Sequence, residues 1–116
     1  MSAQMKRIDL LKLLLQAKQP ITGILEELGK EGWDCETPLI LLTRAHIVAV
    51  LNQYINGQLS STQVEEWANA IECREDIGLE AEKKDLLSGT IFQLANPTLT
   101  EKLSKEMATT LIDLLK

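Results

Sequence analysis

Residues 60–72 read SSTQVEEWANAIE. Val64, Trp67, Ala68 and Ile71 recur at i, i+3, i+4 and i+7, so they share one side of an α-helix. Glu65, Glu66, Asn69 and Glu72 fall on the other side. Ser60 with Gln63, or Thr62 with Glu65, supplies a capping box at the start. A helix divided this way buries its apolar stripe against neighbours and presents its carboxylates to solvent or to a partner.

The same period runs through the rest of the chain, and no segment alternates with period two for long enough to read as a strand. A first helix over about 4–18 places Ile8, Leu11 and Leu15 on one stripe, with Leu10 and Leu14 beside it, and Pro20 interrupts it. A short helix over 21–29 uses Ile21, Ile24, Leu25 and Leu28 and stops at Gly29. GKEGWDCETP is loop by composition. A helix over about 39–56 carries Ile47, Val48, Leu51, Tyr54 and Ile55 and ends at Asn56-Gly57. Gly78 breaks the pattern after residue 72. A further helix over 80–95 offers Leu87, Ile91, Leu94 and Ala95, flanked by Leu86 and Phe92, and stops before Asn96-Pro97. Thr98 with Glu101 caps a last helix packing Leu103, Met107, Leu111 and Leu114. The expected fold is all-α: one domain over 1–116, a bundle of five or six helices.

Charge is distributed unevenly. The net charge is −5, and residues 65–85 alone hold eight acids against three bases. Residues 1–18 are basic, with four bases and one acid. An acidic field repels nucleic-acid phosphate and anionic lipid and accelerates encounter with a basic partner. Direct nucleic-acid binding is therefore disfavoured. The densest apolar run, IDLLKLLLQAK, is interrupted by charge and falls short of the roughly 20 residues that a membrane span needs. A cytoplasmic protein is expected, and two cysteines, Cys35 and Cys73, fit a reducing compartment better than a disulfide framework.

Chemistry-bearing groups do not assemble into a catalytic set. His46 is the one histidine and sits beside Ile47-Val48 on an amphipathic helix, which reads as a structural position. Cys35 and Cys73 are too few and too far apart for a zinc finger. Neither a P-loop nor a dinucleotide-binding glycine pattern occurs. The paired carboxylates Glu65/Glu66 and Glu75/Asp76 lie where solvent is expected, whereas acid–base work needs a pKa raised by burial or a close partner. No enzyme, metal or cofactor is expected. Trp67 belongs to the core stripe. Trp33, in its loop, either folds back as a lid or stands out as a binding anchor.

LTRAHIVAVLNQYINGQLSSTQVEEWANAIECREDIGLE from Leu42, followed by IFQLANPTLTEKLS, resembles small all-helical immunity proteins of bacterial toxin systems. The likeness is to the contact-dependent growth inhibition immunity type with a colicin-D-immunity-like character. Its carriers are the helix closed by NGQLS, the EEWAN…REDIG segment and the LANP turn, over roughly residues 43 to 115. The resemblance implies a cytoplasmic antitoxin, monomeric before it meets a cognate protein toxin. It also implies that the toxin is a basic nuclease domain directed at tRNA, blocked by occlusion. On that expectation Glu65, Glu66, Glu72, Glu75, Asp76, Glu80 and Glu82 are toxin contacts, with Trp33 a possible anchor. The rival is a helical adaptor or regulatory subunit that uses an apolar groove, with the leucine-rich first helix as the exposed stripe.

Overall fold

A computed structural model describes residues 3–18, 21–30, 38–72, 74, 76–100 and 102–115. Six α-helices and two short strands follow in chain order: α1 (Ala3–Leu15), α2 (Ile21–Gly29), β1 (Ile40–Leu42), α3 (Arg44–Ile55), α4 (Ser61–Glu72), β2 (Ile77–Leu79), a 3₁₀ turn (Ala81–Lys83), α5 (Lys84–Ala95) and α6 (Lys105–Leu115). The fold is a helical bundle. α4 packs on α5, α3 on α6 and α1 on α2.

α4 forms where the sequence places it. Ser60 and Gln63 make the reciprocal cap, with Ser60 N–H donating to Gln63 Oε1 at 2.8 Å and Gln63 N–H to Ser60 Oγ at 3.1 Å. Val64, Trp67, Ala68 and Ile71 are all buried. Trp67 is fully buried and its indole N–H donates to the Leu14 carbonyl at 2.7 Å, which joins α4 to the end of α1. That carbonyl belongs to the last turn of α1, where main-chain acceptors lack helical donors.

α1 ends at Leu15, short of the expected residue 18. Ala17 N–H donates to Leu14 O at 2.9 Å and Lys18 N–H to Leu13 O at 3.1 Å, a Schellman turn. Its left-handed position is taken by Ala17 at φ 55°, where glycine is usual. α3 ends in the same turn with glycine in place: Gln58 N–H reaches Gln53 O at 2.8 Å and Gly57 sits at φ 81°.

The strands are a correction. Residues 40–42, expected at the start of a helix, instead pair in parallel with 77–79, and α3 begins at Arg44. Ile40 pairs with Ile77, Leu41 with Gly78 and Leu42 with Leu79. Three residues are too few to display a period of two, and the partner strand lies beyond two helices. Gly78 interrupts the helical pattern because the strands approach closely here. A Cβ on it would come within 2.9 Å of Leu41 Cδ2 and 3.0 Å of the Pro38 side chain.

α6 is also rephased. Its cap is Ser104, whose Oγ accepts the Met107 N–H at 3.1 Å, and not Thr98. Ala108, Leu111, Ile112 and Leu115 are buried, while Leu114, expected in the core, is 59% exposed. Leu103 precedes the helix and so does not set its phase. Of the residues expected to open the preceding helix, Ala81–Lys83 form the 3₁₀ turn instead and Glu80 caps it, and Leu87, Ile91, Leu94 and Ala95 of α5 are buried as expected. No helix among the described residues is long and apolar enough to cross a membrane.

Candidate interaction surface

The acidic residues singled out in the sequence divide into three groups. Trp33 and Glu75 lie outside the described residues, as do Cys35, Cys73 and Glu101. Glu66 and Glu72 are exposed on α4, Glu82 is exposed on the 3₁₀ turn, and Glu65 is half-buried at the α4–α5 boundary. Among the described residues none of these four carboxylates is in an ion pair. Asp76 and Glu80 have other partners.

Asp76 is interior, contrary to the expectation of a solvent-facing carboxylate. Its side chain is 0% exposed, beside Arg74 at 1% and Arg7 at 11%. Oδ2 accepts from Arg7 Nε and from an Arg74 terminal nitrogen, each at 2.8 Å, and Oδ1 accepts from Arg74 Nε at 2.9 Å. The Asp76 carbonyl also accepts the Leu39 N–H at 2.8 Å. One residue thus ties α1, β1 and the turn after α4 together. Burial pushes its carboxyl up, but the hydrogen bonds and charges of Arg74 and Arg7 outweigh that and hold it below the usual aspartate range. An anion enclosed this way cannot meet a partner without the fold opening.

Glu80 is committed to α3. Oε1 accepts the Arg44 main-chain N–H at 3.2 Å and its Nε at 3.3 Å, and Oε2 accepts from a terminal guanidinium nitrogen at 3.1 Å. A carboxylate at the first helical residue satisfies a donor that the helix leaves free and complements its dipole. The Arg44 side-chain and backbone hydrogen bonds lower the Glu80 pKa. Glu80 remains partly accessible, at 28%, so it borders the surface without being free.

These diversions leave most of the local charge intact. Setting aside the Asp76–Arg74 pair, seven acids and two bases remain in residues 65–85, and among the described residues Arg7 on Asp76 and Arg44 on Glu80 each bring one positive charge from outside that segment. Exposed Lys83 and Lys84 lie next to Glu82 and Asp85, so the acidic character is strongest along α4.

Two grooves run between the antiparallel α4 and α5. One, of about 310 Å³, is lined by Glu65, Gln93, Leu94, Pro97, Thr98 and Lys102 among others. The other, of about 140 Å³, lies where α4 ends against β2 and α5, and Glu72 borders it. Phe92 at 47% exposure and Leu114 at 59% are surface apolar groups on α5 and α6. Leu114 lines a further open groove with Gln93, Met107 and Leu111. By contrast, the first helix buries Leu11, Leu14 and Leu15, and among its described side chains Leu13 is the exposed leucine.

His46 has the structural role expected of it. Its Nδ1 accepts the Thr43 main-chain N–H at 2.9 Å at the start of α3, and burial lowers its pKa. Tyr54 is half-buried and its hydroxyl donates to Leu103 O at 3.4 Å. Among the described residues no group of three or more His, Cys, Asp or Glu side chains is placed to hold a metal ion.

Set against known proteins, the chain matches no family model, no curated protein and no solved structure.

Proposed function

We propose that this chain is an immunity-type antitoxin, a non-enzymatic cytoplasmic protein that binds a cognate toxin carrying a basic, tRNA-directed nuclease domain and blocks it. The supporting observation is the set of exposed carboxylates Glu66, Glu72 and Glu82, unpaired among the described residues, with Glu66 and Glu72 held on α4, whose other side is core, and Glu82 on the 3₁₀ turn. Rigid presentation lowers the entropy lost on binding, and an acidic field directed at a phosphate-binding groove speeds association. Glu65 extends the face toward α5, while Asp76 belongs to the framework beneath it.

The test is capture of toxin from cells of the native source by the tagged protein, at low and then high salt. Reversing Glu66, Glu72 and Glu82 to lysine should leave the fold intact and slow association at low salt by about tenfold or more. Capture that is indifferent to both salt and charge reversal would defeat the acidic-face reading. A second reading, the adaptor, is favoured by exposed Phe92, Leu99 and Leu114 and moves from the first helix to α5 and α6. Salt-insensitive capture abolished by Phe92→Ser and Leu114→Ser would select it.

A further inference from the structure

Among the described residues the sheet has two strands, so each strand has an outer edge. In the observed register Ile40 N–H reaches Asp76 O at 3.3 Å and Glu80 N–H reaches Leu42 O at 3.0 Å. Main-chain groups alternate in direction along a strand, so Asp76, Gly78 and Glu80 address β1 while Ile77 and Leu79 turn their N–H and C=O groups away from it. No described residue hydrogen-bonds to these outward groups. Charged or proline residues commonly guard such an edge. β2 reads Ile-Gly-Leu and carries neither.

A groove of about 140 Å³ lies along this strand, with Ile71, Ile91 and Leu79 as its apolar lining and Glu72, Arg74 and Ser88 as its polar lining. Arg74 is committed to Asp76, whereas Glu72 is exposed and has no ion pair among the described residues. The groove therefore presents main-chain donors and acceptors, apolar contact and one uncompensated negative charge. These fit an extended peptide better than a helix, because only an extended chain offers alternating main-chain groups at strand spacing.

We infer that the outer edge of β2 is a docking site at which an extended segment of a partner protein adds as a third strand, with apolar side chains over Ile71 and Ile91 and a basic side chain against Glu72. This rests on the reading of the chain as a partner-binding protein, and places part of that partner's contact at the end of α4.

The probe is a short blocked peptide of alternating valine and lysine, added at about 1 mM to the full-length protein while main-chain amide resonances are followed by NMR. The Ile77 and Leu79 amides should shift and their hydrogen exchange should slow. A peptide of the same composition, N-methylated at alternate residues, should bind at least about fivefold more weakly, since it lacks the edge donors. Leu79→Pro removes one outward N–H without touching a bond to β1, so it should abolish the shifts while unfolding stays cooperative. If that variant does not fold, the methylated peptide still decides. Absence of shifts, shifts centred elsewhere, or equal binding of both peptides would overturn the site. So would the same shifts appearing without peptide as protein concentration rises, which would assign the edge to a second copy. Toxin capture with no peptide response would remove this site and leave the immunity reading. Peptide binding without toxin capture would do the reverse.

Discussion

Replacing Asp76 by alanine should unfold the protein under conditions where most surface changes are tolerated. The carboxylate is 0% exposed and accepts three hydrogen bonds from two guanidiniums that are themselves 1% and 11% exposed. Its removal brings two like charges together without their anion and leaves a void where α1 meets the turn before β2. Breaking a buried ion pair by deleting one partner costs about 3–5 kcal/mol. That is a large share of the roughly 5–15 kcal/mol that holds a domain together. For a chain of this length it corresponds to a fall in Tm of roughly 10–20 °C. Urea and thermal unfolding followed by circular dichroism would measure it, with Glu66→Ala as a surface control expected to stay within about 0.5 kcal/mol. The same pair makes stability depend on pH. Because the folded-state pKa of Asp76 is lowered, the unfolded chain takes up a proton first as pH falls. The stabilisation is therefore full above the ordinary aspartate pKa of about 4 and is lost as pH drops through the lower folded value. Asp76→Asn should flatten that acid limb. A stable Asp76→Ala protein with unchanged acid unfolding would refute the interior ion triad and return Asp76 to the surface set.

Other parts of the framework give separate tests. Trp67→Ala should cost about 3–5 kcal/mol, and Trp67→Phe, which keeps most of the ring volume but loses the bond to Leu14 O, about 1–2 kcal/mol; a Phe variant as stable as the parent in chemical denaturation would show that the hydrogen bond contributes nothing. Gly57→Ala should destabilise by about 1 kcal/mol because φ 81° is left-handed, whereas Gly89→Ala, inside α5 with nothing within 4 Å, should stabilise by about 0.5–1 kcal/mol; opposite signs in parallel urea melts are the expected result. His46 is held neutral as an acceptor at the head of α3, and its folded pKa is lowered, so its contribution is complete above about pH 6.5 and declines as pH falls through the folded value. His46→Gln should keep a side-chain acceptor there and remove that pH dependence, which stability measured across pH 5 to 7.5 would reveal.

What could be read from sequence, and what could not, follows from the distance over which each feature is decided. The outward placement of Glu66 and Glu72 is set by helical phase against Val64, Trp67, Ala68 and Ile71, all within α4. A periodic stripe is local, so those positions were legible. Asp76 and Glu80 stand in the same acidic run, yet their surroundings are fixed by Arg7, 69 residues away, and Arg44, 36 residues away. No local pattern distinguishes a carboxylate destined for a distant guanidinium from one destined for water. The short strands are hidden for the same reason: each is meaningful only against the other, and the glycine that marks them looks like a helix break until Leu41 and Pro38 are seen to crowd it. The consequence for function is specific. On the proposed function the acidic run divides in two, with the exposed α4 carboxylates as the face offered to a partner and Asp76 with Glu80 as the anchors that hold β2 and α3 beneath it. Charge reversal at Glu66 and Glu72 should therefore alter association without altering melting, while changes at Asp76 should alter melting first and binding only as a result. If the Asp76→Asn protein, assayed at a temperature where it is fully folded, loses partner association as steeply as the Glu66 and Glu72 reversal does, that division between anchor and face is wrong.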